Sequence, residues 1–465
     1  MLIEFSIGNY RSFRNRKTLS MEAADISSQP PSLDKQNVFE VDPAVRLLTS
    51  AVIYGANASG KSNLVAAIDF MRRFVLTSAV LTRFGQPINV EPFRLSTVTE
   101  SQPSEFEMVF LVDGVQYRYG FAVDRRHIVR EWLYRLGTLR ESKLFTRTGQ
   151  QIEVNPRIFR EGRRLESLTR PNALFLSVVA QFNGPIAKQL TNWFAALDVN
   201  TGVTDWEDMA LALARFDDSP YRSTIEELIQ RLDTGIEHVE AERIPLTMDA
   251  PFDAPDDGSQ SVQRTFDAPS DVSDVVTQSM HRLLDELSRF EKIERVRIKT
   301  YHQRFDGEGY PADSVAFDLE QHESAGTQRL FVLAQPIVHA LKEGGVLVID
   351  EFDARIHPNL AVELVRLFND PETNPHHAQL IFTTHNTNLL NAKLFRRDQV
   401  WFVEKSRQGA SDLYSLLEYR IDGKIVRNDA SFEKDYILGR YGAIPFIGNV
   451  RELLGAGYGE SNKGE

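Results

Sequence analysis

The feature that most constrains how this chain can fold is Gly55-Ala56-Asn57-Ala58-Ser59-Gly60-Lys61-Ser62. It matches G-x-x-x-x-G-K-[ST]. It stands between a short apolar run, SAVIY, and an apolar-periodic one that opens at Asn63, NLVAAIDFMRRFVL. The glycines let the backbone curl so that successive N–H groups point inward at phosphate oxygens, and the helix that follows adds its positive end. Such a loop needs a buried strand before it and a helix after it, which commits the chain to an α/β architecture. Gly55, Ala56, Asn57, Ala58, Ser59, Gly60, Lys61, Ser62 and Asn63 are therefore the expected nucleotide-binding set. Lys61 is suited to reach the β- and γ-phosphates, and Ser62 to put its hydroxyl on Mg²⁺. A Gly-rich turn that happens to contain lysine would satisfy the bare pattern but not its setting.

The C-terminal third supplies the rest of such a site. VLVID, residues 346–350, reads as a buried strand that ends in two acids, Asp350 and Glu351. Acids at the C-terminal end of a central strand sit where α/β sheets bind ligands. Asp350 fits a Mg²⁺-holding role and Glu351 the polarisation of an attacking water. A third apolar strand, 378–384, ends at His385, suited to the γ-phosphate and that water. Lys61, Glu351 and His385 are the expected catalytic set. Between these stretches the spacing predicts helices over GTQRLFVLAQPIVHALKEG and NLAVELVRLF, so the sheet should be largely parallel. Ser324, Gly326, Thr327 and Gln328 open the first of these helices. Small residues at a helix start make a second anion site, or an ordinary N-cap.

Elsewhere the signals change. FEMVFLV and VQYRYGFAV flank Asp113-Gly114, a strong hairpin signal, and IVREWLYRL continues as a third antiparallel strand. PIAKQLTNWFAAL, WEDMALALARF and TIEELIQRL have helical spacing. The Asp-, Ser- and Pro-rich stretch 248–273 reads as a flexible acidic loop, with a helix after it. The expected organisation is 1–140 as the N-terminal part of a head, with phosphate loop and β-lobe. Residues 141–290 form a mainly helical insertion, and 291–465 complete the head.

Composition narrows the partners. There is no cysteine, which removes disulfides, thiolate zinc sites and iron–sulfur clusters. No apolar run is long enough to span a bilayer. The opening MLIEFSIGNYRSF alternates like a strand and lacks a signal-peptide core, so a cytoplasmic protein with no membrane partner is expected. A net charge of -12 disfavours general polyanion binding, so any nucleic-acid contact needs a local basic patch.

The order of phosphate loop, long insertion, S-x-G-x-Q, apolar-Asp-Glu and apolar-Thr-Thr-His resembles the ABC-type ATPase heads of the SMC, Rad and RecF proteins. More closely, the chain resembles the bacterial AAA15-type (RloA/AbiL-like) ATPases, grouped with the OLD-type ATPases. The segments that carry this are Asn9-Tyr10-Arg11-Ser12-Phe13, the run Asp350 to Pro358 (DEFDARIHP) and Tyr436 to Pro445 (YILGRYGAIP). The resemblance implies a P-loop NTPase of ABC-ATPase type, with a mixed sheet core, an antiparallel β-lobe and an inserted helical lobe. It implies ATP and Mg²⁺ as cofactors, and ATP held between two heads. Ser324 and Gly326, with Thr327 and Gln328, would then act as a signature in trans. It also implies a D-loop region at Asp353 and His357, where the SMC pattern has aspartate in place of His357. Gln181 is the candidate Q-loop ligand to Mg²⁺. The sequence ends soon after the tail motif, so a C-terminal nuclease domain of OLD type is not expected and an effector should be a separate polypeptide.

Three functions follow. The first is an ATP-hydrolysing homodimer or higher assembly that acts as sensor or scaffold for a separate effector in anti-phage defence. The second is a RecF-like DNA-repair ATPase. Arg157, Arg160, Arg163, Arg164 and Arg170 lie near one another in sequence and lean that way, but Glu161 and Glu166 dilute them. The third is a non-hydrolysing nucleotide-binding module, against which the intact Glu351 argues.

Overall fold

The structure is a computed structural model that describes residues 1–42, 45–80, 85–137, 140–202, 205–232, 234–245, 294–421, 423–427 and 430–445. The chain divides into two compact units, Met1–Asp205 with Pro336–Glu465, and Trp206–Gln335.

The first unit opens with β1 (Leu2–Gly8), β2 (Lys17–Ser20), α1 (Leu33–Gln36), β3 (Val38–Asp42), β4 (Val45–Leu48), β5 (Ser50–Tyr54) and α2 (Lys61–Thr77). It continues through β6 (Ser104–Val112), β7 (Val115–Val123), β8 (Ile128–Leu136), β9 (Glu141–Thr148), β10 (Gln151–Val154), α3 (Phe175–Gln181), α4 (Pro185–Ala196) and β11 (Asp198–Asn200). A seven-stranded antiparallel sheet runs β10-β9-β8-β7-β6-β1-β2. Its hairpin β6–β7 turns at Asp113 and Gly114, whose φ values of 47° and 75° are the left-handed ones that an Asp-Gly turn requires.

After the second unit, the chain returns with β15 (Val346–Ile349), α9 (Pro358–Asn369), β16 (Gln379–Thr383), β17 (Val400–Lys405), β18 (Ser411–Ser415), the two-residue strands β19 (Arg420–Ile421) and β20 (Lys424–Ile425), and α10 (Phe432–Ile437). These complete a six-stranded sheet, β11-β15-β16-β5-β17-β18, in which all pairs are parallel except β17–β18. Every residue of β5, β15 and β16 is buried, as expected for strands covered on both faces. One apolar core joins Phe106 and Phe110 of the antiparallel sheet, Leu64, Ile68 and Met71 of α2, and Ile53, Val348, Ile381 and Val403 of the parallel sheet. The phosphate-loop helix is thereby fixed between the two sheets.

The second unit holds most of α5 (Asp205–Asp218), then α6 (Arg222–Arg231), β12 (His238–Pro245), β13 (Glu294–Phe305), β14 (Pro311–Asp318), α7 (Leu319–His322) and the first half of α8 (Ala325–Glu343). Its strands form a three-stranded antiparallel sheet, β12-β13-β14. The expected boundaries at 140 and 290 cut through ladders. Leu136 pairs with Glu141 in the first sheet, and β12 pairs with β13 in the second. The acidic stretch 248–273 and the helix expected after it lie outside the described residues. Among the described residues, no helix is long and apolar enough to cross a membrane.

Candidate functional site

Because β5, β15 and β16 are parallel neighbours, the segments that leave their C-terminal ends emerge at one edge of the sheet. The phosphate loop leaves β5 there. Ser59 N–H donates to the Ala56 carbonyl at 3.1 Å and Ala58 is left-handed, with φ of 59°. Gly60, the N-cap of α2, has φ of 119°. A Cβ there would lie 2.3 Å from Ser411 Oγ and 2.7 Å from Ser12 Oγ, so only glycine fits. These two serines brace the loop from behind: Ser411 Oγ donates to the Ser59 carbonyl, and Ser12 Oγ accepts from Asn63 Nδ2 at 2.8 Å. The Asn63 side chain thus serves the brace. Ser12 lies in the Asn9–Phe13 segment, but nothing local to either serine announces the brace.

Lys61 is almost fully buried, and its Nζ donates to the Gly55 carbonyl at 2.8 Å and the Ala56 carbonyl at 3.2 Å. Burial pushes its ammonium down to about 8, against the opposing pull of Asp350 and Glu351. The Ser59 hydroxyl is buried and, among the described residues, has no hydrogen-bond partner, and the Ser62 side chain is exposed. A glycine cradle, a buried cation and an orphaned donor are what an anionic phosphate group would satisfy.

The acids come from the turn after β15. Asp350 is buried and Glu351 is exposed, with φ of 49°. Thr383, at the end of the neighbouring β16, fastens both. Its hydroxyl donates to Asp350 Oδ1 and accepts the Glu351 N–H at 2.8 Å. Thr384 donates to Asp353 Oδ1 at 2.5 Å and accepts the Asn386 N–H at 2.9 Å. Two threonines at a strand end are the signal that would have found them. His385 follows. Burial first, and Lys61 second, hold its imidazole below the usual histidine range, while Glu351, Asp353 and Asp350 pull the other way. The structure therefore brings Gly55 to Ser62, Asp350, Glu351, Asp353 and His385 together. His357 is the N-cap of α9, accepting the Asn359 N–H at 3.2 Å through Nδ1.

Two expected groups have local roles of their own. Gln181 is exposed at the last turn of α3, and among the described residues its side chain makes no hydrogen bond. Ser324, Gly326, Thr327 and Gln328 belong to the second unit. There Ser324 is exposed and caps α8, its Oγ accepting the Thr327 N–H at 3.1 Å. Gln328 Nε2 donates to the carbonyls of Leu319, Glu320 and Glu323 at 3.0–3.1 Å and so fixes the approach to that helix. The buried Glu323 side chain accepts from Thr300 Oγ1 at 2.5 Å and meets His302 Nε2 at 2.7 Å.

Among the described residues, no group of three or more His, Cys, Asp or Glu could hold a metal. Ser62 and Asp350 offer one hydroxyl and one carboxylate. That set suits Mg²⁺, which takes few protein ligands and completes its shell with phosphates and water.

Comparison with known proteins gives a family. A family model described as "AAA domain, putative AbiEii toxin, Type IV TA system" matches residues 50–391, which span the phosphate loop, both acids and His385. No curated protein matches the sequence. Among solved structures, the chain is similar to the "SMC head domain from Thermotoga maritima", at 14% identity and a TM-score of 0.37, over 89% of this chain and 98% of that one. It is also similar to an SMC head bound to the C-winged helix domain of ScpA, at 14% identity and a TM-score of 0.35, over 89% of this chain and 97% of the other.

Proposed function

We propose a function on the premise that this chain belongs to the AAA-domain family whose model matches it over residues 50–391. It is a P-loop protein of mixed α/β architecture with an ATPase-type domain. We infer that it binds ATP with Mg²⁺, hydrolyses it, and works as an ABC-type head that closes on a second copy. The observation that carries this reading is the meeting of Lys61, Asp350, Glu351 and His385 at the ends of three adjacent parallel strands.

Roles follow from the chemistry. The loop N–H groups, the Ser59 hydroxyl and Lys61 would take the phosphates, and Ser62 and Asp350 would hold Mg²⁺. The ion, when bound, neutralises charge on the β- and γ-phosphates. Glu351, exposed beside the loop, accepts a proton from the attacking water. His385, kept neutral at pH 7 by burial and Lys61, orients that water by hydrogen bonding without adding charge. The exposed, capped start of α8 at Ser324 and Gly326 would meet the γ-phosphate held by the other copy.

The finer likeness to AAA15-type ATPases supports a sensor or scaffold that holds and releases a separately encoded effector in anti-phage defence. The family's description as a toxin of a type IV TA system fits a second polypeptide as partner. Nucleotide binding and turnover of Lys61→Ala and Glu351→Gln test the site. Lys61→Ala should weaken ATP binding about 100-fold, whereas Glu351→Gln should keep binding and lose turnover. Wild-type binding in Lys61→Ala would remove the phosphate-site reading.

A further inference from the structure

Away from the nucleotide site, residues 157–164 fold into a tight turn. Phe159 N–H donates to the Asn155 carbonyl at 3.0 Å, Gly162 N–H to the Phe159 carbonyl at 3.3 Å and Arg163 N–H to the Arg160 carbonyl at 3.2 Å. Phe159 and Gly162 are the inward residues, with Phe159 packed on Phe145 and Phe175. What the turn leaves outside is Arg157, Arg160, Arg163 and Arg164, all exposed. Among the described residues none of the four forms an ion pair, although arginines elsewhere on the chain, such as Arg16, Arg118 and Arg130, have carboxylate partners.

The acid expected to offset them faces elsewhere. Glu161 caps α4, its carboxylate accepting the Ile186 N–H at 3.2 Å and the Ala187 N–H at 2.8 Å. It lies against Gly184, where an added Cβ would stand 2.9 Å from Glu161 Oε1. Its charge is thus balanced by a helix N-terminus. Glu166, the other acid, makes no ion pair with the four arginines. On a chain of net charge -12, four cations on one turn are a local reversal of the overall sign. Four unpaired guanidinium groups on one turn form a concentrated positive surface.

We propose that this turn is a docking surface for the sugar–phosphate backbone of double-stranded nucleic acid. Guanidinium forks match phosphate oxygens. The one aromatic of the turn, Phe159, is buried, so no ring is offered for stacking on splayed bases, which favours a duplex over a single strand. Binding should be independent of sequence and strongly dependent on salt.

The test is fluorescence anisotropy of a labelled 30-base-pair DNA duplex against the full chain at several KCl concentrations. It is run for wild type and for the Arg157, Arg160, Arg163 and Arg164→Ala variant, with thermal melting as the fold control. Up to four phosphate contacts predict a log–log salt slope of about −3 to −4. The variant should lose at least tenfold in affinity at the lowest salt, and most of that slope, with an unchanged melting midpoint. Charge-reversed Arg163→Glu should lose binding as well. Absence of duplex binding, binding that the variant leaves intact, or capture of an acidic polypeptide such as poly-glutamate in place of DNA would each overturn the proposal. Turnover of ATP is not the readout, so failure here leaves the nucleotide-site reading untouched.

Discussion

Lys61 carries a measurable signature of its position. Its ammonium is held at about 8, against an ordinary lysine value of 10.5. Between those values the unfolded chain binds a proton that the folded chain does not, so this residue makes stability rise with pH across that window and leaves it level below. Nucleotide binding has the opposite sense. Phosphates favour the charged form, so apparent ATP affinity should be level below pH 8 and fall by up to about tenfold per unit above it. Lys61→Arg, which does not titrate there, should flatten the profile between pH 7 and 9.5. Titration of a fluorescent ATP analogue reads both, and a wild-type profile as flat as that of the variant would contradict the assignment. Thr383 gives a second residue-scale prediction. Thr383→Val keeps the shape of the side chain but removes the donor to Asp350 and the acceptor for the Glu351 N–H. It should cost about 1–3 kcal/mol of stability and lower turnover more than nucleotide binding. Differential scanning calorimetry beside a phosphate-release assay distinguishes this from a neutral exchange, in which neither would move.

The elements are held by polar ties that span the sequence. Glu131 on β8 is wholly buried and accepts Tyr119 Oη at 3.0 Å, the Phe175 N–H at 2.7 Å and the Leu176 N–H at 3.0 Å, so it caps α3. Arg147 on β9 stands 3.6 Å away and donates to the Ala173 carbonyl at 2.7 Å. Glu131→Ala would strand a buried cation and two helix-start N–H groups, and should cost about 3–5 kcal/mol by urea denaturation, with Glu131→Gln milder. An alanine variant within about 0.5 kcal/mol of wild type would show that the cap is dispensable. Such ties also mark where sequence reasoning ends. The phosphate loop, the acids after β15 and the Asp113-Gly114 hairpin were legible because each is fixed by local spacing and backbone conformation. The bracing roles of Ser12, Ser411 and Glu161 were not, because a serine or glutamate acquires its role from what folding brings near it. Ser411 braces a carbonyl 352 positions away. Long-range pairing is hidden for a related reason: β12 and β13 pair across 48 intervening residues, from 246 to 293, and no local signal announces that ladder. Likewise β9 and β10 carry few apolar residues and do not read as strands, yet they finish the edge of the seven-stranded sheet.

The nucleotide cluster belongs to one unit and the exposed, capped helix start at Ser324 to the other. A head that needs Ser324 and Gly326 from a second copy cannot turn over alone. Its activity per molecule must then depend on concentration, and blocking the proton acceptor must leave the closed pair standing. The most direct measurement is steady-state ATP hydrolysis of the purified chain across a wide protein concentration range, with Glu351→Gln beside it and mass measured by light scattering. For a head completed by a second copy, activity per molecule should rise with concentration, and Glu351→Gln should be inactive but accumulate as a nucleotide-bound dimer. Activity per molecule that is constant at every concentration, with Glu351→Gln monomeric in ATP or as active as wild type, would contradict it.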